Sequence, residues 1–185
     1  MPTIVHEFAW PDRVVVGTVG RVGARAFYLQ VRAGSRCVSV ALEKGQSALL
    51  AGKIDEILDE LMTTAGNPFN IPSTTPVELV DNDPLEQPVD EEFRTGAMSL
   101  GWDPSTAQIV VEVFPLLDDA ENDENGIDLA SAEPVEVLLV RIPVGTARAF
   151  AKRTREIVGA GRPICPFCAN PMDVSGHECT LPAGL

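Results

Sequence analysis

The sequence predicts an α+β fold: a mostly antiparallel sheet with two helices packed on it, plus a small C-terminal zinc-binding tail. Three observations support this prediction. Short runs rich in β-branched residues recur between turn-forming residues, and two longer segments carry apolar residues at helical spacing. A cluster of cysteine and histidine follows near the C-terminus. With 185 residues and 45% hydrophobic residues, the chain is long enough to form one domain around its own core.

The first part of the chain contains four predicted strands and a helix. The strands are bounded by proline or glycine turns and cover residues 4–10, 13–19, 24–34 and 36–42. The helix is indicated by apolar residues that recur on one face, namely Leu50, Ile54, Ile57, Leu58 and Leu61. Gly66 and Pro68 are typical of the end of a helix, so we expect it to stop there.

The second part repeats this alternation after a linker. Residues 67–90 contain five prolines, which predicts an extended connection with room for one short strand at residues 77–80. Residues 118–134 are acidic and rich in turn formers, so we expect a mobile acidic loop there. Strands are predicted at residues 93–103, 107–117 and 135–143, and a helix at residues 144–160.

The two strand–helix units can be superposed at an offset of one hundred residues. Residues 38–58 then lie over residues 138–158, with five identities among the paired positions. This similarity predicts a duplicated βββα unit, with halves at residues 1–66 and 91–162 joined by the proline-rich linker. The alternative is that two unrelated strand–turn–helix units resemble each other once their apolar faces are aligned.

Four metal-binding side chains lie within fifteen residues near the C-terminus: Cys165, Cys168, His177 and Cys179. Zinc prefers four tetrahedral nitrogen or sulfur ligands, and the spacing Cys-x2-Cys-x8-His-x-Cys is compact enough for one ion. We therefore expect residues 163–185 to form a zinc-knuckle-like tail on a body of residues 1–162, with one Zn²⁺ per chain.

The predicted zinc is structural and not catalytic. Four protein ligands fill the coordination shell, whereas a catalytic zinc keeps an open position for water. Three thiolates also leave the ion with a net negative charge, which weakens it as a Lewis acid. A redox dithiol at Cys165 and Cys168 is the alternative, but Pro171 and Gly176 do not fit the helix that normally follows such a motif.

Charge is distributed unevenly along the chain, whose net charge is −13. Such an excess of acid argues against a nucleic-acid-binding surface, because that binding depends on basic residues that neutralise phosphates. Residues 141–162 are instead basic, and Arg148, Lys152 and Arg155 are spaced to form one stripe on the predicted helix. We expect this stripe to bind an acidic protein partner or the acidic loop. Assembly of the chain into a homo-oligomer is a separate open alternative.

No nucleophile and base stand at a recognisable spacing, so two classes of function are open. The first, which is preferred, is a non-catalytic interaction or adaptor protein with the zinc tail as a docking element. The second is an enzyme that binds an anionic small molecule between the two halves through residues such as Arg13, Arg25, Arg94 or Trp102. His6 lies in an alternating apolar strand and is interpreted as a half-buried structural histidine.

The N-terminus lacks the basic and apolar regions of a secretory signal, and no apolar stretch is long enough for a membrane span. We therefore expect a cytoplasmic protein with no membrane contact. Cysteines in such a reducing compartment rarely form disulfides, which again favours metal binding by the clustered ones.

Four segments carry a resemblance to a known family: HEFAWPDRVVVGTVG, FYLQVRAG, VSVALEKGQ and the terminal GRPICPFCANPMDVSGHEC. They are similar to an uncharacterised actinobacterial family, a domain of unknown function of the 3090 type. The resemblance covers nearly the whole chain, and the terminal motif is its most specific part. It implies a cytoplasmic actinobacterial protein and brings no established activity with it.

Overall fold

The computed structural model describes residues 3–21, 23–117 and 136–160, together with Met172 and Cys179. The predicted acidic loop at residues 118–134 lies outside the described residues. Three of the predicted zinc ligands lie outside them as well, namely Cys165, Cys168 and His177. Apart from Met172 and Cys179, the described residues therefore belong to the α+β body and its linker.

The described body contains seven β-strands and two α-helices. The strands are β1 (Ile4–Phe8), β2 (Arg13–Val19), β3 (Ala26–Ala33), β4 (Arg36–Leu42), β5 (Glu91–Asp103), β6 (Gln108–Pro115) and β7 (Glu136–Pro143). The helices are α1 (Lys44–Met62) and α2 (Val144–Gly159). Each strand predicted outside the linker is present, as are both helices, so the α+β class is confirmed. Among the described residues, no helix has the length and apolar character needed to cross a membrane.

The short strand predicted at residues 77–80 was wrong, because Val77–Leu79 form a single 3-10 turn. The Leu79 amide closes the turn by donating to the Pro76 carbonyl oxygen at 3.0 Å. Pro76 stands just before the turn with φ at −57°, and a proline ring holds φ near this value. The linker therefore bends here.

The seven described strands form one mixed sheet in the order β1-β7-β6-β5-β4-β3-β2. The prediction of a mostly antiparallel sheet needs correction, because β4 pairs with β5, and β1 with β7, in parallel. Within each half, β2–β3–β4 and β5–β6–β7 are antiparallel meanders. The long connection from β4 to β5 contains α1 and the linker, and it returns the chain to the end of the sheet where β4 began. β5 can therefore run parallel to β4.

The same order of elements occurs twice along the sheet. The unit β2–β3–β4–α1 is followed by β5–β6–β7–α2, and α2 begins one hundred residues after α1, as the superposition predicted. β1 stands outside this repeat and pairs with β7 in parallel, as β5 does with β4. A common origin of the halves 1–66 and 91–162 stays a prediction, because an equal order of elements does not by itself show duplication.

The sheet curls so that its two outer edges approach each other. β1 and β2 are the outermost strands, yet only residues 9–12 join them. In a flat sheet, six strand spacings of about 4.8 Å would separate these edges by about 29 Å, whereas the five residue steps between them span at most about 18 Å. β1 also contacts β3, and the Arg36 guanidinium of β4 lies 4.5 Å from the centre of the Phe8 ring.

β5 joins the two halves of the sheet, because it pairs with β4 of the first half and with β6 of the second. Its register with β6 shifts between Thr95 and Met98, and its first residues pair with β4. Gly96 lies in this shift, where a β-carbon would be only 2.8 Å from the Pro115 carbonyl oxygen. The absence of a side chain at Gly96 therefore allows the end of β6 to approach β5 this closely.

Both helices pack against each other and share one core with the sheet. The buried residues of the helices are Leu50, Ala51, Ile54, Leu58, Ala147, Phe150 and Ala151. They join strand residues that are at most 1% exposed, including Val16, Leu29, Val40, Ile109 and Leu138. Burial of each large apolar side chain contributes about 1.5–3 kcal/mol, which makes this cluster the main source of stability.

The linker of residues 67–90 is packed against the body, and we call it the strap. Leu85 is 4% exposed and lies over Gly17 of β2, where even a β-carbon would come within 2.4 Å of the leucine Cγ. The Gln30 side chain of β3 donates to the Glu86 carbonyl oxygen at 3.1 Å and accepts from the Glu86 amide at 2.8 Å. The strap is therefore an ordered part of the fold, although the sequence predicted only an extended connection.

Candidate functional site

A cleft of about 500 Å³ lies between α1, α2 and the strap. Residues 73–75 of the strap line one part of it, and Asp55 and Asp59 of α1 line another. The remaining lining residues are the three bases predicted to bind a partner, Arg148, Lys152 and Arg155. Because α1 belongs to the first half of the body and α2 to the second, this cleft lies where the two halves meet.

Arg148 is buried beneath this cleft and joins three elements. Only 6% of the residue is exposed. Its guanidinium donates to the Asp55 carboxylate at 2.8 Å, to the Asp59 carboxylate at 2.6 Å and to the Pro72 carbonyl oxygen at 2.9 Å. These contacts make Arg148 a structural link between α1, α2 and the strap. Breaking a buried ion pair of this kind is costly, because the partner that remains keeps charge that is no longer compensated.

Lys152 and Arg155 differ from Arg148 because their side chains reach solvent. These side chains are 51% and 54% exposed. The Lys152 ammonium lies 3.9 Å from the Glu156 carboxylate, and Arg155 contacts the second oxygen of the Asp55 carboxylate. The stripe predicted from helical spacing therefore has two accessible bases and one buried base. Partner binding by these residues stays a prediction.

A second cluster fixes the middle of the strap. The Asp81 carboxylate accepts bonds from Arg13 of β2 at 2.6 and 3.0 Å, and from Arg153 of α2 at 3.1 Å. Both arginines also donate to the Asp83 carbonyl oxygen, at 2.9 and 2.7 Å. Arg153 donates further to the Val16 carbonyl oxygen of β2 at 3.0 Å. Two largely buried guanidinium groups thus clamp one carboxylate and the main chain beside it.

The clamp changes the ionisation of its members. The hydrogen bond from Arg13 holds the pKa of the Asp81 carboxyl below its ordinary value, and the same bond raises the pKa of Arg13. Burial lowers the pKa of Arg153. An arginine stays protonated at neutral pH even when its pKa falls somewhat, so all three groups are charged there.

The cavity beside this clamp has a volume of about 380 Å³. Of the residues predicted to bind an anionic molecule, Arg13 lines this cavity, whereas Arg25, Arg94 and Trp102 do not. The Arg13 guanidinium is directed at the strap, as described above. Trp102 packs edge-on against Phe69 of the strap, with ring centres 5.0 Å apart. The four predicted residues therefore do not form one site at this cavity.

Three metal-binding side chains converge at one end of the sheet. The His6 Nε2 atom of β1 lies 2.6 Å from a Glu136 oxygen of β7 and 3.8 Å from a Glu92 oxygen of β5. All three ligand atoms lie within 4.8 Å of one another. In a flat sheet, three strand spacings of about 4.8 Å would place β1 and β5 about 14 Å apart. The curl of the sheet therefore brings Glu92 to His6.

Sequence reasoning identified His6 as half-buried, which agrees with its 14% exposed side chain, but it missed the acidic partners. Glu136 is 130 positions away, and no local pattern indicates that β1 pairs with β7. The sequence indicates the pairing of Asp55 more clearly, because Asp55 stands next to Ile54 on the apolar face of α1. A carboxylate on a buried helix face indicates a basic partner, which is Arg148 here.

The fold defines an α+β protein built from two meander–helix units that a clamped strap connects. The chain belongs to the family described as Protein of unknown function (DUF3090), whose model matches residues 6–179. This range extends from β1 to the last predicted zinc ligand, Cys179. Comparisons with curated proteins and with solved structures gave no match. Membership in the DUF3090 family assigns no activity, so any function has to be inferred from the residues.

Arg148 and Lys152 should respond differently to substitution although they are one helical turn apart. Arg148→Ala should lower the free energy of unfolding by about 3–5 kcal/mol, because the buried Asp55 carboxylate would lose its buried partner and keep only the half-exposed Arg155. Lys152→Ala, the matched control on the exposed side of α2, should change it by less than about 0.5 kcal/mol. Urea unfolding measures both. A loss below about 1 kcal/mol for Arg148→Ala, as for a surface ion pair, would contradict the structural role.

The clamp on Asp81 predicts a specific loss of stability in acid. A carboxyl with a lowered pKa in the folded state contributes stability above its unfolded-state pKa, and this contribution is lost as pH falls through the folded-state pKa. Asp81→Asn should therefore lower the free energy of unfolding at neutral pH by about 1–3 kcal/mol, and its difference from the unmodified chain should shrink as the pH falls below the ordinary pKa of an aspartate, about 4.

Urea unfolding at a series of pH values measures this difference. Glu78→Gln, which changes an exposed carboxylate of the same strap, is the matched control and should have little effect at any pH. A difference between Asp81→Asn and the unmodified chain that stays constant or grows in acid would show that the charge of Asp81 does not stabilise the fold.

Proposed function

We propose that the chain is a non-catalytic zinc-binding interaction protein, in which the α+β body is a rigid platform and the tail is a docking element. One structural Zn²⁺ per chain is bound by Cys165, Cys168, His177 and Cys179. The observation that carries this proposal is the ligand set itself, with four zinc-preferring side chains in one short segment. Of these four, Cys179 lies among the described residues, where it is exposed.

The chemistry of the body supports a binding role more than a catalytic one. Arg13, Arg148 and Arg153 each donate to carboxylates and to main-chain carbonyl groups of the same chain. The carboxylates of Asp55 and Asp81 are in turn engaged by these arginines. Groups used in this way position α1, α2 and the strap, and a substrate would have to break these contacts to reach them.

The surface beside the cleft suits a protein partner. Val77, Leu79 and Val80 of the strap expose apolar side chains, and Val77 is 86% exposed. Lys152 of α2 and Val80 line the same small cavity next to this turn. An apolar centre with a polar rim is typical of protein–protein interfaces. The accessible bases Lys152 and Arg155 favour an acidic partner, because complementary charge steers association.

The proposed setting is the cytoplasm of an actinobacterium, as the family resemblance implies. A reducing compartment keeps cysteine thiols available to bind zinc. The net charge of −13 makes a nucleic acid an unsuitable partner, because phosphates would be repelled by most of the surface.

An enzyme that binds an anionic small molecule between the two halves has less support. The cleft between α1 and α2 has the right position for such a ligand, and Arg148, Lys152 and Arg155 line it. However, Asp55 and Asp59 already pair with Arg148, and Asp55 also pairs with Arg155. An anion bound by Arg148 would have to displace these carboxylates, whereas a protein that contacts the exposed rim would not.

Purified protein should contain one zinc ion per chain, and Cys168→Ala should reduce the zinc content to well below half an equivalent. Zinc bound by such ligand sets supplies about 10–16 kcal/mol of apparent folding free energy, so the same variant should become sensitive to protease in its tail while the body still unfolds cooperatively. Cys37→Ala, which changes an exposed cysteine of β4, is the matched control and should keep its zinc.

Elemental analysis of protein purified without chelator measures the zinc content. The proposal is wrong if the unmodified chain contains well under half an equivalent, or if Cys168→Ala and Cys37→Ala contain equal amounts. A body that no longer unfolds cooperatively in Cys168→Ala would show that the zinc segment is part of the core.

A further inference from the structure

We propose that His6, Glu92 and Glu136 form a second metal site, separate from the predicted zinc tail, that binds one divalent cation of the Mn²⁺ or Fe²⁺ class. Carboxylate oxygens suit Mn²⁺ and imidazole nitrogen suits Fe²⁺, so this oxygen-rich set is harder than the thiolate-rich set of the predicted zinc tail. The three residues come from β1, β5 and β7, so the fold assembles a ligand set that the sequence disperses.

The distances between the ligand atoms suit one ion. Ions of this class bind nitrogen and oxygen at about 2.0–2.2 Å, so two ligands at a right angle lie about 3 Å apart and two opposite ligands about 4.4 Å apart. The 3.8 Å between His6 and Glu92 falls within this range, and the 2.6 Å between His6 and Glu136 requires only a slight separation. A small adjustment of side chains is therefore sufficient.

The pairing of β1 with β7 positions the two inner ligands. Its register makes His6 and Glu136 diagonal neighbours on one face of the sheet, the face that also carries the buried Phe8. The side chains of His6 and Glu136 are 14% and 21% exposed, whereas that of Glu92 is 43% exposed. Two ligands are thus held in place by the fold, and the third completes the site from the solvent side.

A direct hydrogen bond between His6 and Glu136 is the simpler explanation of the shortest contact. A single hydrogen bond involves only one carboxylate, whereas a second one, that of Glu92, lies 3.8 Å from the same nitrogen atom. A divalent cation neutralises both carboxylates and takes the place of the proton between His6 and Glu136. Three protein ligands also leave coordination positions for water or a small ligand, which the predicted zinc tail does not.

Manganese binding to the full chain tests the proposal. The protein is titrated with Mn²⁺, and free Mn²⁺ is followed by electron paramagnetic resonance. The unmodified chain should bind one Mn²⁺, and His6→Gln, Glu92→Gln and Glu136→Gln should each weaken binding at least about tenfold. Glu7→Gln, which changes an exposed carboxylate next to His6 on β1, is the matched control and should bind Mn²⁺ as the unmodified chain does.

The proposal is overturned if the unmodified chain binds no Mn²⁺, or if the three ligand variants bind it as tightly as Glu7→Gln, because the ion would then be held elsewhere. Glu92 is the most exposed of the three ligands, so Glu92→Gln gives a result even if substitution of His6 prevents folding. Zinc content measured on the same samples separates the two sites. Ligand variants that lose Mn²⁺ binding but keep their zinc content support the His6 site. If the unmodified chain contains no zinc, the manganese test is still valid, because it does not depend on the predicted zinc tail.

Discussion

Three largely buried arginines hold the strap against the rest of the fold, and the arrangement of the helices and the sheet depends on their contacts. Arg13 and Arg153 clamp Asp81, while Arg148 links Asp55 to the main chain of the strap. Removing a guanidinium from water costs free energy, and its hydrogen bonds in the protein mainly offset this cost. Each arginine therefore adds little net stability, and its main effect is to restrict the conformation of the groups that it binds. The strap is therefore held in one path.

That path determines the topology of the sheet. The strap carries the chain from α1 to β5, so that β5 enters parallel to β4 and begins the second meander. The two meanders place α1 and α2 after equivalent strands, and the cleft with the basic stripe lies between them. The same sheet curls until side chains of β1, β5 and β7 meet at one end. Both candidate binding regions of the body thus follow from one topology.

Local sequence patterns predicted the strands and helices well, because the alternation of polar and apolar residues depends only on neighbouring positions. The predicted strands at residues 13–19 and 36–42, for example, agree with β2 and β4. They did not predict the parallel pairings, since no hairpin joins β4 to β5 or β1 to β7. For the same reason the sequence revealed the clustered cysteines but not the partners of His6.

Arg148 was expected on an exposed stripe, but Asp55 on the neighbouring helix binds it in the interior. Helical spacing cannot predict a partner across a tertiary contact.

Native-state hydrogen exchange of the strap tests most directly whether the arginine clamps make it part of the core. The Ile71 amide donates to the Asn67 side chain, and the Glu86 amide donates to Gln30 of β3. If the strap is part of the core, these two amides should exchange only through global unfolding, with the same free energy and the same denaturant dependence as amides of β3. If they exchange at much lower free energy while β3 stays protected, the strap opens on its own, and the account is contradicted.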